Sequence, residues 1–239
     1  MNLIVEALTW LFAPTQWQGK DSLALLLGQQ LLFTVVSVAI AAIVAVPVGW
    51  AIGHTGRGRE VAVAIAGVAR AVPSFGLLVL LVLLLGVLHK PEAAVISFVL
   101  LAIPSLLAGA YSGFEAIDRQ VIDAARAMGM TERQILWRVE VPLGLPLLLG
   151  GLRAAVLQVV ATVTIAAYIG LGGLGLPIIT GLSLRRYDEV LGGAILVAAL
   201  ALVLDGLLAL AQRAAVPTGL RAGLADRGTA RRRAVPAPA

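Results

Sequence analysis

The chain of 239 residues is 60% hydrophobic and only 13% charged, with a formal net charge of +5, and its mean hydropathy is +0.98. Soluble domains carry roughly 25% charged residues, so water is not the main solvent here; a soluble fold of this composition would expose large apolar patches, whereas lipid-facing helices require them. The chain has no cysteine, which excludes disulfides, thiolate metal sites and cysteine nucleophiles, and its positive residues are scattered between apolar runs, which argues for membrane orientation and against nucleic-acid binding.

Apolar runs reach about 20 residues, enough to cross a hydrocarbon core roughly 30 Å thick. Alternating ten-residue strands are absent, so a barrel is excluded and the fold class is an all-α membrane protein. The first 20 residues hold one basic residue, Lys20, and no small-residue cleavage site follows a basic stretch, so no removable signal peptide is expected. Residues 1–30 form an N-terminal interfacial segment, in which 3–12 lie at headgroup level beside Trp10 and Trp17.

Five spans are expected, over 31–53, 61–88, 93–111, 147–169 and 190–212, making 31–212 the membrane domain. The second is long for a simple crossing and contains Pro73, which removes a backbone hydrogen bond, so a tilted, kinked helix is predicted. His54 and His89 lie at the ends of apolar segments without a second ligand at useful spacing and read as boundary residues. Connections on one side of the membrane hold twelve Arg residues and those on the other hold Lys20, Lys90, Arg185 and Arg186. This asymmetry places the C-terminus and the long loop 112–146 in the cytoplasm. The tail 213–239 is rich in Pro, Ala, Gly and Arg, lacks periodicity and reads as a disordered basic tail brushing anionic lipid.

The loop 112–146 carries the most information. Ile117, Val121, Ala124 and Met128 recur at helical spacing among Asp118, Arg119, Asp123 and Arg126, which predicts a short amphipathic helix. Gly129 stops it, being at ease in the left-handed conformation that closes helices. Thr131 and Gln134 have the spacing of a capping box, so a second helix starts there, runs to Val139 and is ended by Pro142, before Pro146 opens the fourth span. Small residues at the turn (Ala124, Ala125, Ala127 and Gly129) permit close approach by another protein; an ordinary hairpin resting on the membrane is the alternative.

Within this loop Asp123, Ala124 and Ala125 lead to Gly129, and Val139, Val141 and Pro142 close a pattern that resembles the signature loop of binding-protein-dependent ABC importer permeases of type I. Asp123 stands where Glu is commoner. The resemblance runs from about Gln30 to Gln212 and is nearest to permeases for osmoprotectants such as glycine betaine, choline and carnitine, through "RAVPSFGLL" from Arg70, "YIGLGGLG" from Tyr168 and "LVLDGLLALAQR" from Leu202. Methionine importer permeases are similar over much of the same length. The resemblance implies a non-catalytic bacterial plasma-membrane subunit that pairs with itself or a sister permease, two cytoplasmic ATPases and an extracytoplasmic binding protein. Coupling would run through Asp123, Ala124, Ala125, Met128, Gly129, Val139 and Pro142, so that ATPase closure rocks the helices between two accessible states. ATP and Mg²⁺ belong to the partner, since this chain has no Gly-Lys-Ser/Thr phosphate cradle and is expected to bind no cofactor or metal.

Three ionisable residues fall inside predicted spans: Arg70, Arg153 and Asp205. Each costs roughly 2.5–3.5 kcal/mol on insertion scales, and a rise of about 1.5 Å per residue brings all three to a similar depth. Asp205 is therefore expected to pair with Arg70 or Arg153; snorkelling by the arginines is the alternative. Arg70, Pro73, Ser74, Gln158, Thr162 and Tyr168 either line a pathway or serve as interhelical glue, and the Gly-rich stretch with Gly172 and Gly173 is either a gate element or a plain flexible turn. With aromatic residues at only 5%, recognition of a betaine-type cation, which needs aromatic faces, is expected mainly in the binding protein. Two rival classes remain. A membrane-embedded enzyme would need clustered His or carboxylates, and Asp205 stands alone in the spans; a scaffold would dock a cytoplasmic partner without transport.

Overall fold

In the computed structural model, which describes residues 2–216, ten α-helices follow one another: α1 (Leu3–Phe12), α2 (Leu23–Thr55), α3 (Arg59–Ala71), α4 (Ser74–Leu85), α5 (Lys90–Glu115), α6 (Arg119–Ala127), α7 (Glu132–Ile135), α8 (Val141–Ala166), α9 (Gly175–Leu184) and α10 (Tyr187–Ala214). No strand occurs among the described residues. Four helical stretches are long and apolar enough to cross a membrane: Leu23–Thr55, Val87–Glu115, Glu132–Ile169 and Tyr187–Ala214. The pair α3 and α4 makes a fifth if counted as one broken span. The tail assigned above to 213–239 lies, beyond residue 216, outside the described residues.

Several boundaries differ from expectation. The first span begins at Leu23, eight residues before the predicted start, because Ser22 caps it by accepting the Leu25 N–H at 3.3 Å, and Gln29 and Gln30, polar enough to suggest a loop, lie within the helix. The interfacial segment 1–30 is thus too long. Its first part, α1, does not lie free at the headgroups but packs on α10, where a Cβ on Gly192 would come within 2.4 Å of the Trp10 ring. The second span is broken outright and not merely kinked: Val72 and Pro73 are extended, and α3 meets α4 at 85°. Pro73 both lacks an N–H and forces the preceding residue away from helical geometry, so the chain turns where a single lost bond would only bend it.

α5 is the central helix, packed between α2 and α8, with α3 and α4 also against it. Between helices in lipid there is little hydrophobic drive, so close packing must supply the cohesion. Glycines supply it on both sides of α5. Gly49 and Gly53 on α2 face Ala110 and Phe114, and Gly109 and Gly113 on α5 face Gly151 and Gly144 of α8, each so closely that a Cβ on any of these four would sit under 3.0 Å from the opposite helix. Above these seams Phe98, Ala102, Leu106, Val159, Val160 and Val163 fill the core. Large apolar side chains on the outer surfaces, such as Ile43, Leu83, Leu202 and Leu210, remain exposed to what the composition identifies as lipid.

A Cβ on Gly113 would lie 2.6 Å from the Gly144 carbonyl oxygen. Gly113→Leu must therefore push α5 and α8 apart, at a cost of at least about 1–3 kcal/mol. Its midpoint of thermal unfolding in detergent should fall clearly, while Gly67→Leu on α3, where the added group meets nothing within 4 Å, should leave the midpoint unchanged.

Candidate functional site

The hairpin after α5 is built from local signals that all agree. Asp118 caps α6 by accepting the Gln120 N–H at 2.9 Å. At its other end Gly129 takes φ 81°; the Gly129 N–H donates to the Arg126 carbonyl and the Met130 N–H to the Ala125 carbonyl, which is the paired closure of a helix by a left-handed glycine. Thr131 and Gln134 form the reciprocal box that opens α7. Arg126 then bridges the turn, donating to both Glu132 carboxylate oxygens at 2.9 and 3.2 Å, and that carboxylate raises the Arg126 pKa above its ordinary value, chiefly through the hydrogen bond. Asp123 stands exposed, 3.6 Å from the same guanidinium.

Ala125 is buried and Ile122 half-buried, so this is the face of α6 turned to the protein. The stripe of Val121, Ala124 and Met128 points outward, with Met128 75% exposed. The periodicity that suggested an amphipathic helix thus marks a presented face and not a packed one. Val139 is half-buried and Pro142 exposed, but Pro142 does not end a helix as predicted. Residues Leu136–Glu140 form a π-helical turn in which the Val141 N–H reaches the Leu136 carbonyl. The wider register hands Pro142 to the first turn of α8, where a missing N–H costs nothing. Pro146 lies inside that helix. The second hairpin helix and the fourth span are one continuous rod.

At its foot the rod is tied to α2. The Glu140 carboxylate, almost fully buried, accepts a hydrogen bond from the His54 ring, and His54 also approaches Glu132 at 3.8 Å. His54 is therefore more than a boundary residue. Trp50 stacks on Phe114 and meets Trp137 edge-on beside it. A polar cavity of about 540 Å³ separates the end of α2 from α6, lined by His54, Arg59, Glu115, Arg119 and Asp123 among others.

Within the bundle Asp205 meets Arg153: Arg153 Nε and Nη2 each donate to a different Asp205 oxygen at 2.8 Å. Nη1 also reaches Gln212 at 3.3 Å, and the Gln212 amide donates to the Pro146 carbonyl at 2.8 Å. This network joins α8 to α10 and takes both Asp205 oxygens. Arg70 is the penultimate residue of α3. Gln158 accepts from Ser105 across the α5–α8 seam at 3.5 Å, and Thr162 donates to the Gln158 carbonyl, so both serve as links between and within helices here.

The opposite end of the bundle holds the remaining candidates. Pro73 and Ser74 form the break, and Phe75 next to them meets Tyr168 edge-on at 5.7 Å. Gly172 and Gly173, at φ 85° and 76°, follow α8. Gln29 accepts the Gly173 N–H at 2.9 Å; Gln30, fully buried, accepts the Leu174 N–H and donates to the Val160 carbonyl. The Gly-rich loop is thus clamped to α2 rather than a flexible turn, and a Cβ on Gly172 would collide with Gln29. The sequence reading missed Gln29, Gln30, Phe75 and Lys90. Paired glutamines inside an apolar run were the available signal, since amides in hydrocarbon need partners.

Comparison with known proteins agrees with this architecture. The chain is 30% identical over 194 residues to the glycine betaine/carnitine/choline transport system permease protein OpuCB of Bacillus subtilis (strain 168), covering 81% of this chain and 88% of that one. It is 34% identical over 205 residues to the osmoprotectant import permease protein OsmW of Salmonella typhimurium, covering 83% and 94%. Among solved structures, an inward-facing MetNI methionine ABC transporter superposes with a TM-score of 0.71 at 22% identity, over 82% of this chain and 96% of that one, a likeness of fold. Residues 45–217 match the family described as binding-protein-dependent transport system inner membrane component, and the chain belongs to that family as a multi-pass membrane permease of the type I ABC importer fold.

Proposed function

We propose that the chain is the pathway-forming subunit of an ATP-driven importer for quaternary-ammonium osmoprotectants such as glycine betaine, carnitine or choline. Relatives whose names specify these solutes match more than three quarters of the chain, which supports this cargo over methionine, for which the likeness is one of fold. ATP is hydrolysed by a separate subunit that docks on the hairpin, and the excess of Arg on that side of the membrane supports a cytoplasmic position for hairpin and C-terminus. A second permease copy or a sister permease completes the pathway, and an extracytoplasmic binding protein delivers cargo.

The observation that carries this reading is the outward stripe of Val121, Ala124 and Met128. A short helix outside the spans, fixed at both ends by caps and an ion pair, holds an apolar face away from its own protein. Such a face is stable only when something covers it. Purification through a tag on this chain should bring down an ATPase whose turnover rises with cargo-loaded binding protein, and cells expressing the set should accumulate radiolabelled glycine betaine, carnitine or choline. Recovery of a partner without ATPase activity, or uptake of none of the three solutes, would overturn the proposal.

A further inference from the structure

At the end of the bundle opposite the hairpin, three side chains lie together that the packing does not require. α8 gives way there to a 3-10 turn, Ala167–Ile169, closed by Gly170 at φ 71°. Tyr168 in that turn is 60% exposed and Phe75 is 43% exposed, although they touch each other. Phe75 owes its place to the break at Pro73, which starts α4 anew beside α8. Next to the same turn stands Lys90, the first residue of α5. Its Nζ lies 3.1 Å from the point a Cβ on Gly170 would occupy, so the absence of a side chain at Gly170 gives the ammonium its room. Lys90 is half-buried and, among the described residues, has no hydrogen-bond or ion-pair partner. The neighbouring His89 and Glu92 face each other at 4.0 Å.

These groups have complementary chemistry. A quaternary ammonium has no hydrogen to donate, so aromatic faces are among the few neutral groups that hold it. A half-buried lysine ammonium offers three donors and no acceptor, and it favours a carboxylate while repelling a bare cation. Tyr168 and Gly170 are two residues apart on one turn, so the rings and the ammonium stand beside the same short stretch of chain. A small molecule with a quaternary nitrogen at one end and a carboxylate at the other matches this pairing of aromatic faces with a cation.

We propose that Phe75, Tyr168 and Lys90 form a binding site in the permease itself for a quaternary-ammonium carboxylate, with the rings against the cationic head and Lys90 on the carboxylate. The site rests on the osmoprotectant reading above and adds that the permease selects zwitterions over a simple cation.

The test is uptake of radiolabelled glycine betaine, carnitine and choline by the complete transporter, each variant being compared with wild type for the same solute so that the binding protein's contribution cancels. Lys90→Gln should lower glycine betaine and carnitine uptake relative to choline by roughly tenfold, and Lys90→Arg should restore most of it. Phe75→Leu and Tyr168→Leu should lower uptake of all three by roughly tenfold, while Tyr168→Phe, which keeps the ring face, should retain it. Equal loss of all three solutes in Lys90→Gln, no loss in either Leu variant, or wild-type uptake of choline alone would overturn the site and leave the osmoprotectant reading standing. Wild-type failure on all three solutes, with the protein inserted, would overturn that reading instead.

Discussion

Gly129→Asp should be inserted at wild-type levels and yet transport at least about thirtyfold less, the effect of losing roughly 2 kcal/mol at the centre of an interface. The chain alone has little reason to object to the substitution. Gly129 lies at φ 81° and a Cβ there meets nothing within 4 Å, so the cost inside the protein is backbone strain of about 1–2 kcal/mol, lower for Asp than for most residues. What changes is the outside: a charge and a side chain appear at the tip of the turn beside Met128, where the ATPase proposed above would approach the backbone. Gly19→Asp supplies the control. Gly19 has φ 97° and equally open surroundings, but it lies in the link before α2, far from the hairpin in the chain. Uptake should survive there. Equal loss in both variants would assign the effect to backbone strain and remove the docking role from Gly129.

The second large effect is expected at the intramembrane pair. Asp205 and Arg153 are only 29% and 32% exposed, and their surroundings are apolar helix and lipid. Asp205→Leu leaves the guanidinium with Gln212 alone, and breaking such a pair from one side costs about 3–5 kcal/mol. The variant should therefore insert poorly or unfold at a much lower temperature in detergent. Arg153→Leu should do similar damage by stranding the carboxylate. Arg153→Leu together with Asp205→Leu should recover most of the loss, because no unpaired charge then remains in hydrocarbon. A double variant as unstable as the worse single one would show that the pair contributes through shape and not through charge.

What the sequence made legible, and what it concealed, follows the range of the interactions. Asp118, Gly129, Thr131 and Gln134 act within a few residues of themselves, so the hairpin's caps and turn could be placed from spacing alone. The apolar runs placed the spans for the same reason. The partner of Asp205 was narrowed to two arginines by depth, but the choice of Arg153 depends on how α8 and α10 are rotated against each other, which periodicity leaves free. Gln30 reaches Leu174 over 144 positions, and His54 reaches Glu140 over 86; neither pairing has a local sign. The glycine seams along α5 were visible as Gly residues four apart, but only contact shows that Gly113 faces Gly144. Pro142 misled because a proline ordinarily ends a helix, and the π-helical turn before it changes the bonding register that the rule assumes.

That turn has a mechanical consequence. With no loop between hairpin and span, the stretch Glu132–Ile169 is a single lever with a close backbone crossing, Gly109–Gly151, near its middle. At about 1.5 Å per residue, arms of roughly 25–28 Å extend either way from that fulcrum, one to the seat of the Arg126 ion pair and the other to Tyr168. A see-saw with equal arms transmits displacement without reducing it and reverses its direction: an inward pull on the hairpin would swing the far end outward by a similar distance, with the fulcrum nearly still.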